Sequence, residues 1–239
     1  NIGIEFAMLR NRLYGDIQLY DKRTKNLFAS LSLSATSGFG SQDVNAGSMF
    51  NKGIEYSINY DVISNRNLVW TVTANGAYNK NEITSLGNIA SYEQGTELIT
   101  VGLPYGSHYQ VRWAGVDAAT GAPLYYTKDG KITTQYSSED RVQTHGTWIP
   151  SVTGGFGTSL RYKNFEASLF FNYAANTKRV NNMEFFLQNP GFLQQGVNQD
   201  AGYTFWTKPG DVATVQSPLY QMNFSSKLIQ DASWLRLRN

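Results

Sequence analysis

The chain contains no cysteine, which excludes disulfides and thiolate metal centres. That absence fits an oxidising compartment as well as many others. Histidine is scarce too, with only His108 and His145, both in loop-like sequence. No H-E-x-x-H, G-x-S-x-G or Walker loop occurs, so no catalytic motif, metal site or cofactor site is expected. The net charge of +2 is too small to argue for nucleic acid as a partner. There is also no apolar run of about 18 residues, and hence no transmembrane helix.

What is present is glycine and aromatics: 22 Gly, 15 Tyr, 13 Phe and 5 Trp in 239 residues. The aromatics gather near the ends of expected strands. The hydrophobic fraction of 41% resembles that of a soluble protein. A membrane strand escapes such averages, because its apolar residues alternate with polar ones.

Alternation is the main signal. In residues 51–62, Ile54, Tyr56, Ile58, Tyr60 and Val62 share one face, and Glu55, Ser57, Asn59 and Asp61 the other. Similar strands are expected over 1–9, 13–24, 68–80, 152–162 and 165–176, and a further one begins near 233. Each of the first six reaches the length of about 9–11 tilted residues that a bilayer requires. Strands of a soluble sandwich are nearer to about 5–6. Short turns at 10–12, 64–67 and 163–164 should lie on one side of a membrane. Residues 25–50, 81–150 and 177–232 read as long loops on the other. Both ends of the chain fall inside strand patterns, so it is expected to be an internal piece of a longer protein.

Parity limits the middle loop. The strand before residues 81–150 rises and the strand after descends, so this stretch holds zero or two membrane strands. Zero is favoured, with a hairpin of 124–128 and 131–135 around Asp129-Gly130 standing outside the membrane. A wall strand over 108–117 paired with 124–135 is the alternative. A short helix is expected at 182–188.

Glu55, Asn59, Arg161, Glu166, Arg236 and Arg238 are read as polar lumen residues rather than acid–base pairs. The arginines must point inward, because a guanidinium in hydrocarbon is severely unfavourable. Gly154, Gly155 and Gly157 should relieve crowding on a strand rather than cradle phosphate. Tyr109, Trp113, Trp148 and Trp206 are candidate substrate-binding rings, since aromatics stack on sugar and other apolar faces. Packing of the loops against one another is the competing role for each ring.

Four segments then carry a resemblance: "NIGIEFAMLRNRLYGDIQLYDKRT" at the start, "NKGIEYSINY" followed by "NKNEI", "GVDAATGAPLYY", and the closing "SWLRLRN". In this order they resemble the C-terminal part of the barrel of SusC/RagA-like TonB-dependent outer-membrane transporters, in patches over essentially the whole chain. The resemblance implies an all-β fold in which residues 1–239 are about seven strands of a barrel of about 22. The plug domain and closing strands would lie outside this chain. It implies, in the outer membrane of a Bacteroidetes-type bacterium, active import of an oligosaccharide or peptide. The partners would be a SusD-like lipoprotein lid on the long loops, above all 177–232, and TonB through an N-terminal region. It implies no enzyme activity. A passive porin, or a secreted carbohydrate-binding sandwich or hydrolase, is the alternative.

Overall fold

Where apolar and polar residues alternate without interruption, the chain forms long strands that pair with their sequence neighbours. The computed structural model describes residues 1–143, 145–189, 192 and 202–238. In chain order the strands are β1 (Ile2–Met8), β2 (Leu13–Ser32), β3 (Ser41–Ser64) and β4 (Leu68–Ser85). Short strands follow: β5 (Ser91–Gln94), β6 (Glu97–Thr100), β7 (Ser107–His108), β8 (Gln110–Val116), β9 (Pro123–Tyr126), β10 (Ile132–Thr133) and β11 (Arg141–Val142). Then come β12 (Val152–Tyr162), β13 (Phe165–Ala175), β14 (Lys178–Val180), helix α1 (Asn182–Gln188), β15 (Ile229–Asp231) and β16 (Trp234–Leu237).

Seven strands form one antiparallel sheet in the order β1-β2-β3-β4-β12-β13-β16, which we call the wall. Its register runs unbroken across the middle of the sheet, with a bulge at Val62 near the turns and further shifts in the upper parts of β2, β3 and β4. One row runs Ile4, Ile17, Tyr56, Gly76, Gly154, Tyr173, Leu235, and the next Phe6, Gly15, Ile58, Ala74, Phe156, Phe171, Leu237. Paired residues share a face, so a single apolar face spans all seven strands. On β4 this face runs from Leu68 to Tyr78. At ~3.4 Å per residue and a tilt of ~45°, that is about 24 Å of height, close to the ~25 Å apolar band of an outer-membrane barrel. Glycines on this face make room for neighbouring rings. A Cβ on Gly76 would lie 2.8 Å from the Tyr56 hydroxyl, and one on Gly154 2.7 Å from that of Tyr173.

The three short turns are stitched together at one edge. Asp61 N–H donates to the Arg12 carbonyl at 2.8 Å, and Lys163 N–H donates to the Asn67 carbonyl at 2.8 Å. Leu9, Arg10 and Asn11 take left-handed conformations to close the first turn.

β4 pairs directly with β12, from Tyr78 opposite Val152 to Leu68 opposite Tyr162. No strand of the 81–150 stretch therefore enters the wall. The β9–β10 hairpin forms, and β8 pairs with β9, but both belong to a separate four-stranded sheet. The alternative of a wall strand over 108–117 is thus corrected: the pairing exists, outside the wall.

Residues 25–50 need a second correction. They are not mainly a loop. β2 and β3 stay paired past the apolar band, out to Ser32 opposite Ser41, and only 33–40 connect them. Past the band the hairpin meets water except where Val44 packs against the Ile83, Leu86 and Ile99 core, so pairing continues while alternation fades from the sequence. Residues 177–232 likewise contain a β14–β15 pair and α1, which is capped by the Asn181 side chain. Residues 190, 191 and 193–201 of that expected loop lie outside the described residues.

Candidate vestibule and its junction with the wall

The polar side of the wall is a continuous face as well. One row reads Glu5, Asp16, Ser57, Asn75, Gly155, Asn172, Arg236. Glu55 lies opposite Gln18 and Ala77, and Asn59 opposite Tyr14 and Thr73. Arg161 faces Glu166 directly across the β12–β13 pair. The Arg236 guanidinium rests 5.2 Å from the Trp234 ring centre. Arg238 continues the strand by donating its backbone N–H to the Phe170 carbonyl at 2.8 Å. All six polar residues singled out in the sequence therefore fall on the side opposite the apolar face. The glycines of β12 again relieve crowding: a Cβ on Gly155 or Gly157 would meet the Phe170 ring at 2.6 Å.

Where the wall passes into the extramembrane module, a ladder of amides holds the junction. The Tyr20 hydroxyl donates to Asn79 Oδ1 at 2.9 Å. Asn51 Oδ1 accepts from Asn79 Nδ2 at 3.0 Å and from Asn81 Nδ2 at 3.1 Å. Asn81 is buried, and its Oδ1 accepts the Tyr105 backbone N–H at 2.7 Å. Two residues on, Ile83 forms a small core with Leu86 and Ile99, packed against Tyr92 and Tyr105. The segments "NKGIE" and "NKNEI" are thus the two halves of one junction. A cleft of ≈ 330 Å³ opens beside it, between residues 78–82 and Pro104, Thr147 and Ile149.

The four candidate rings do not form one site. Trp206 is 8% exposed, donates its indole N–H to the Ala118 carbonyl at 2.9 Å, and covers Gly121. Trp148 covers Gly106 in the same manner and is half-buried. Trp113 meets Tyr125 edge-on at 5.5 Å. Tyr109 lies under the Arg141 guanidinium at 5.3 Å. Each is engaged in packing; Tyr109, Trp113 and Trp148 keep part of their surface accessible.

One group escaped the sequence reading. Lys227 Nζ is buried without a hydrogen-bond partner, 4.8 Å from the Trp113 ring centre. Burial pulls its pKa down to about 8, partly offset by Glu184. Nothing local in "SSKLIQ" signals this, because β8 supplies the ring from 114 positions earlier in the chain. His108 is 2% exposed, with Nε2 2.9 Å from the Lys178 carbonyl. Burial, and then His108 and Arg112, push the His145 pKa down. No group of three or more metal-ligating side chains occurs among the described residues.

No family model matches the chain. A "TonB-dependent receptor P3" of Formosa agariphila is 28% identical over 265 residues, covering 100% of this chain and 26% of the relative. The "TonB-dependent receptor SusC" of Bacteroides thetaiotaomicron is 36% identical over 87 residues, or 36% of this chain and 9% of the relative. The RagAB peptide transporter structure superposes with a TM-score of 0.88 at 29% identity, over 99% of this chain and 27% of that one. The chain spans about a quarter of the length of the relatives it matches end to end.

Proposed function

We propose, for a chain that belongs to the SusC/RagA-like TonB-dependent outer-membrane transporters, that the protein it forms part of actively imports a large nutrient. The cargo class is an oligosaccharide or a peptide. These seven strands are a stretch of β-barrel wall in the bacterial outer membrane. The observation that carries the reading is the one apolar face common to all seven strands, with short turns at one end and a folded module at the other.

In this reading the apolar face meets lipid. Glu55, Asn59, Arg161, Glu166, Arg236 and Arg238 line the lumen, against a plug domain carried elsewhere in the protein. The extramembrane module forms the substrate vestibule. There Tyr109, Trp113 and Trp148 offer partly exposed rings to cargo, and Trp206 holds the loops that present them. A SusD-like lipoprotein closes over the module, and TonB engages a region outside these residues. The RagAB match, whose structure is that of a peptide transporter, supports the peptide class.

The test uses the full-length gene in its native host. Deletion should abolish uptake of one labelled cargo class, oligosaccharide or peptide. Dissipating the proton-motive force should do the same in the undeleted strain. Uptake that persists without that force marks a passive pore and overturns the proposal. Purification of the intact protein from membranes should bring a surface lipoprotein with it in equal amount; its absence removes the lid.

A further inference from the structure

We propose that the lipid side of β2–β4, at the upper border of the apolar band, is a docking site for the phosphorylated headgroup of an outer-leaflet glycolipid. The inference rests on the reading of the apolar face as the lipid face. On that face Leu19, Ile54 and Tyr78 form the last apolar row, with Leu19 opposite Ile54 and Ile54 opposite Tyr78. The next row is Asp21, Lys52, Lys80, and the one beyond it Arg23, Phe50, Glu82. Lys25 follows, opposite Ser48. Apolar residues thus give way to charge within one step of the pleat, at the height of the headgroups.

Four cations (Arg23, Lys25, Lys52, Lys80) share this patch with two carboxylates (Asp21, Glu82), a surplus of two positive charges. The carboxylates orient the cations without cancelling them. Asp21 accepts from Arg23 at 3.2 Å and from Lys52 at 3.3 Å, and Glu82 pairs with Lys80 at 2.9 Å. Phe50 places both ammonium groups, with Lys52 Nζ 4.9 Å and Lys80 Nζ 5.7 Å from its ring centre. The cations remain accessible: the Arg23, Lys52 and Lys80 side chains are 69%, 47% and 60% exposed. A hollow of ≈ 440 Å³ lined by Arg23, Lys25, Ser48, Phe50, Lys52 and Thr84 lies beside them, with Lys80 held at its margin by the Phe50 ring. It has the donors for a phosphate ester and opens directly above hydrocarbon. At this height β2, β3 and β4 pair only with one another, since β1 begins at Ile2 opposite Leu19 and β12 at Val152 opposite Tyr78. At the turn end the same face closes on Trp70, Tyr162 and Phe165, with single cations over rings, Lys163 on Tyr162 and Arg12 on Tyr60, rather than a paired cluster.

The experiment uses the full-length protein in nanodiscs, compared with the triple variant Arg23→Gln, Lys52→Gln, Lys80→Gln. Lys22→Gln serves as control, because Lys22 lies one residue away on the opposite face. Retained glycolipid is counted by mass spectrometry after detergent exchange, with phosphorylated and dephosphorylated lipid A as probes. Wild type and Lys22→Gln should retain phosphorylated lipid A, and the triple variant should lose about tenfold or more, given the contribution of each interfacial cation. Equal retention by the triple variant overturns the proposal. So does equal retention of dephosphorylated lipid A by wild type. Full displacement by millimolar inorganic phosphate marks a general anion site and overturns the lipid assignment. A polarity-sensitive label at Ile58→Cys and at Ser57→Cys tests the underlying reading separately. If the two labels report the same polarity, the face assignment fails; if only Ile58→Cys is in lipid, any loss of the proposal concerns the headgroup site alone.

Discussion

The wall and the module above it are built by different physics. The wall follows one rule over seven strands: every second residue is apolar, and the register carries that face from β1 to β16. No single side chain in it is indispensable, because the surrounding lipid selects the whole face. The module instead consists of strands of two to seven residues in small separate sheets. It holds together through individual contacts, such as an indole on a glycine or an amide on a backbone N–H. The wall should therefore respond to changes of face, and the module to the loss of particular partners.

The sharpest way to break this contrast is Trp206→Ala. The substitution empties the space over Gly121 and leaves the Ala118 carbonyl with only the Gly210 N–H as donor. It should destabilise the module by about 3–5 kcal/mol, the usual range for removing a buried Trp. Hydrogen exchange on the full-length protein should show protection lost in 105–125 and 204–217 and retained in β12 and β13. Loss spread equally over the wall would mean that the two regions fold as one unit.

Next in size is a change of face. Ile58→Arg should cost about 2–4 kcal/mol in denaturant titrations of the reconstituted protein, as for arginine near a bilayer centre. Ser57→Arg, one residue away on the polar face, should cost much less. Equal tolerance would show that lipid does not select the face.

Lys227 gives a pH signature confined to the module. Its pKa is about 8 in the folded protein against 10.5 for the unperturbed group. Between these values the unfolded chain holds the proton and the folded one has released it, so stability rises with pH across that window. The gain should reach about 1–3 kcal/mol by pH 10.5. Limited proteolysis of the module should slow from pH 8 to pH 10 in wild type. In Lys227→Met the rate should stay flat and already be slow at pH 7. An identical pH dependence in both proteins would place Lys227 in water.

The smallest effect is expected at the junction. Asn81→Ala removes the acceptor for the Tyr105 N–H and one rung of the amide ladder, a loss of about 1–2 kcal/mol. Faster exchange at the Tyr105 amide, with β3 and β4 unchanged below the junction, would show that Asn81 couples module to wall. Faster exchange in both strands would extend its role into the barrel.

Particular residues show what was legible. The strands at Val152–Tyr162 and Phe165–Ala175 and the helix at Asn182–Gln188 follow from local patterns. Alternation over eleven residues around a tight turn, or an Asn cap before a short amphipathic run, needs no distant partner. The upper hairpin of β2 and β3 was not legible, because beyond the lipid its Gly- and Ser-rich sequence pairs without alternating, and its one core contact, Val44 on Ile83, Leu86 and Ile99, comes from distant residues. The candidate rings were legible as aromatics but not as a site. Trp206 faces inward because Gly121, 85 positions away, leaves room beneath it. Lys227 looks in the sequence like any surface lysine.

By itself, then, the sequence determined the two faces of the wall, the short turns on one side and the absence of a helical membrane crossing. These properties come from periodicity, and lipid and water enforce it residue by residue. Only the tertiary structure decided which rings are spent on packing, how Asn51, Asn79 and Asn81 join wall to module, and that Arg23, Lys52 and Lys80 converge above the apolar band. Such arrangements depend on register between strands that are distant in the chain, and the register is settled by pairing in three dimensions.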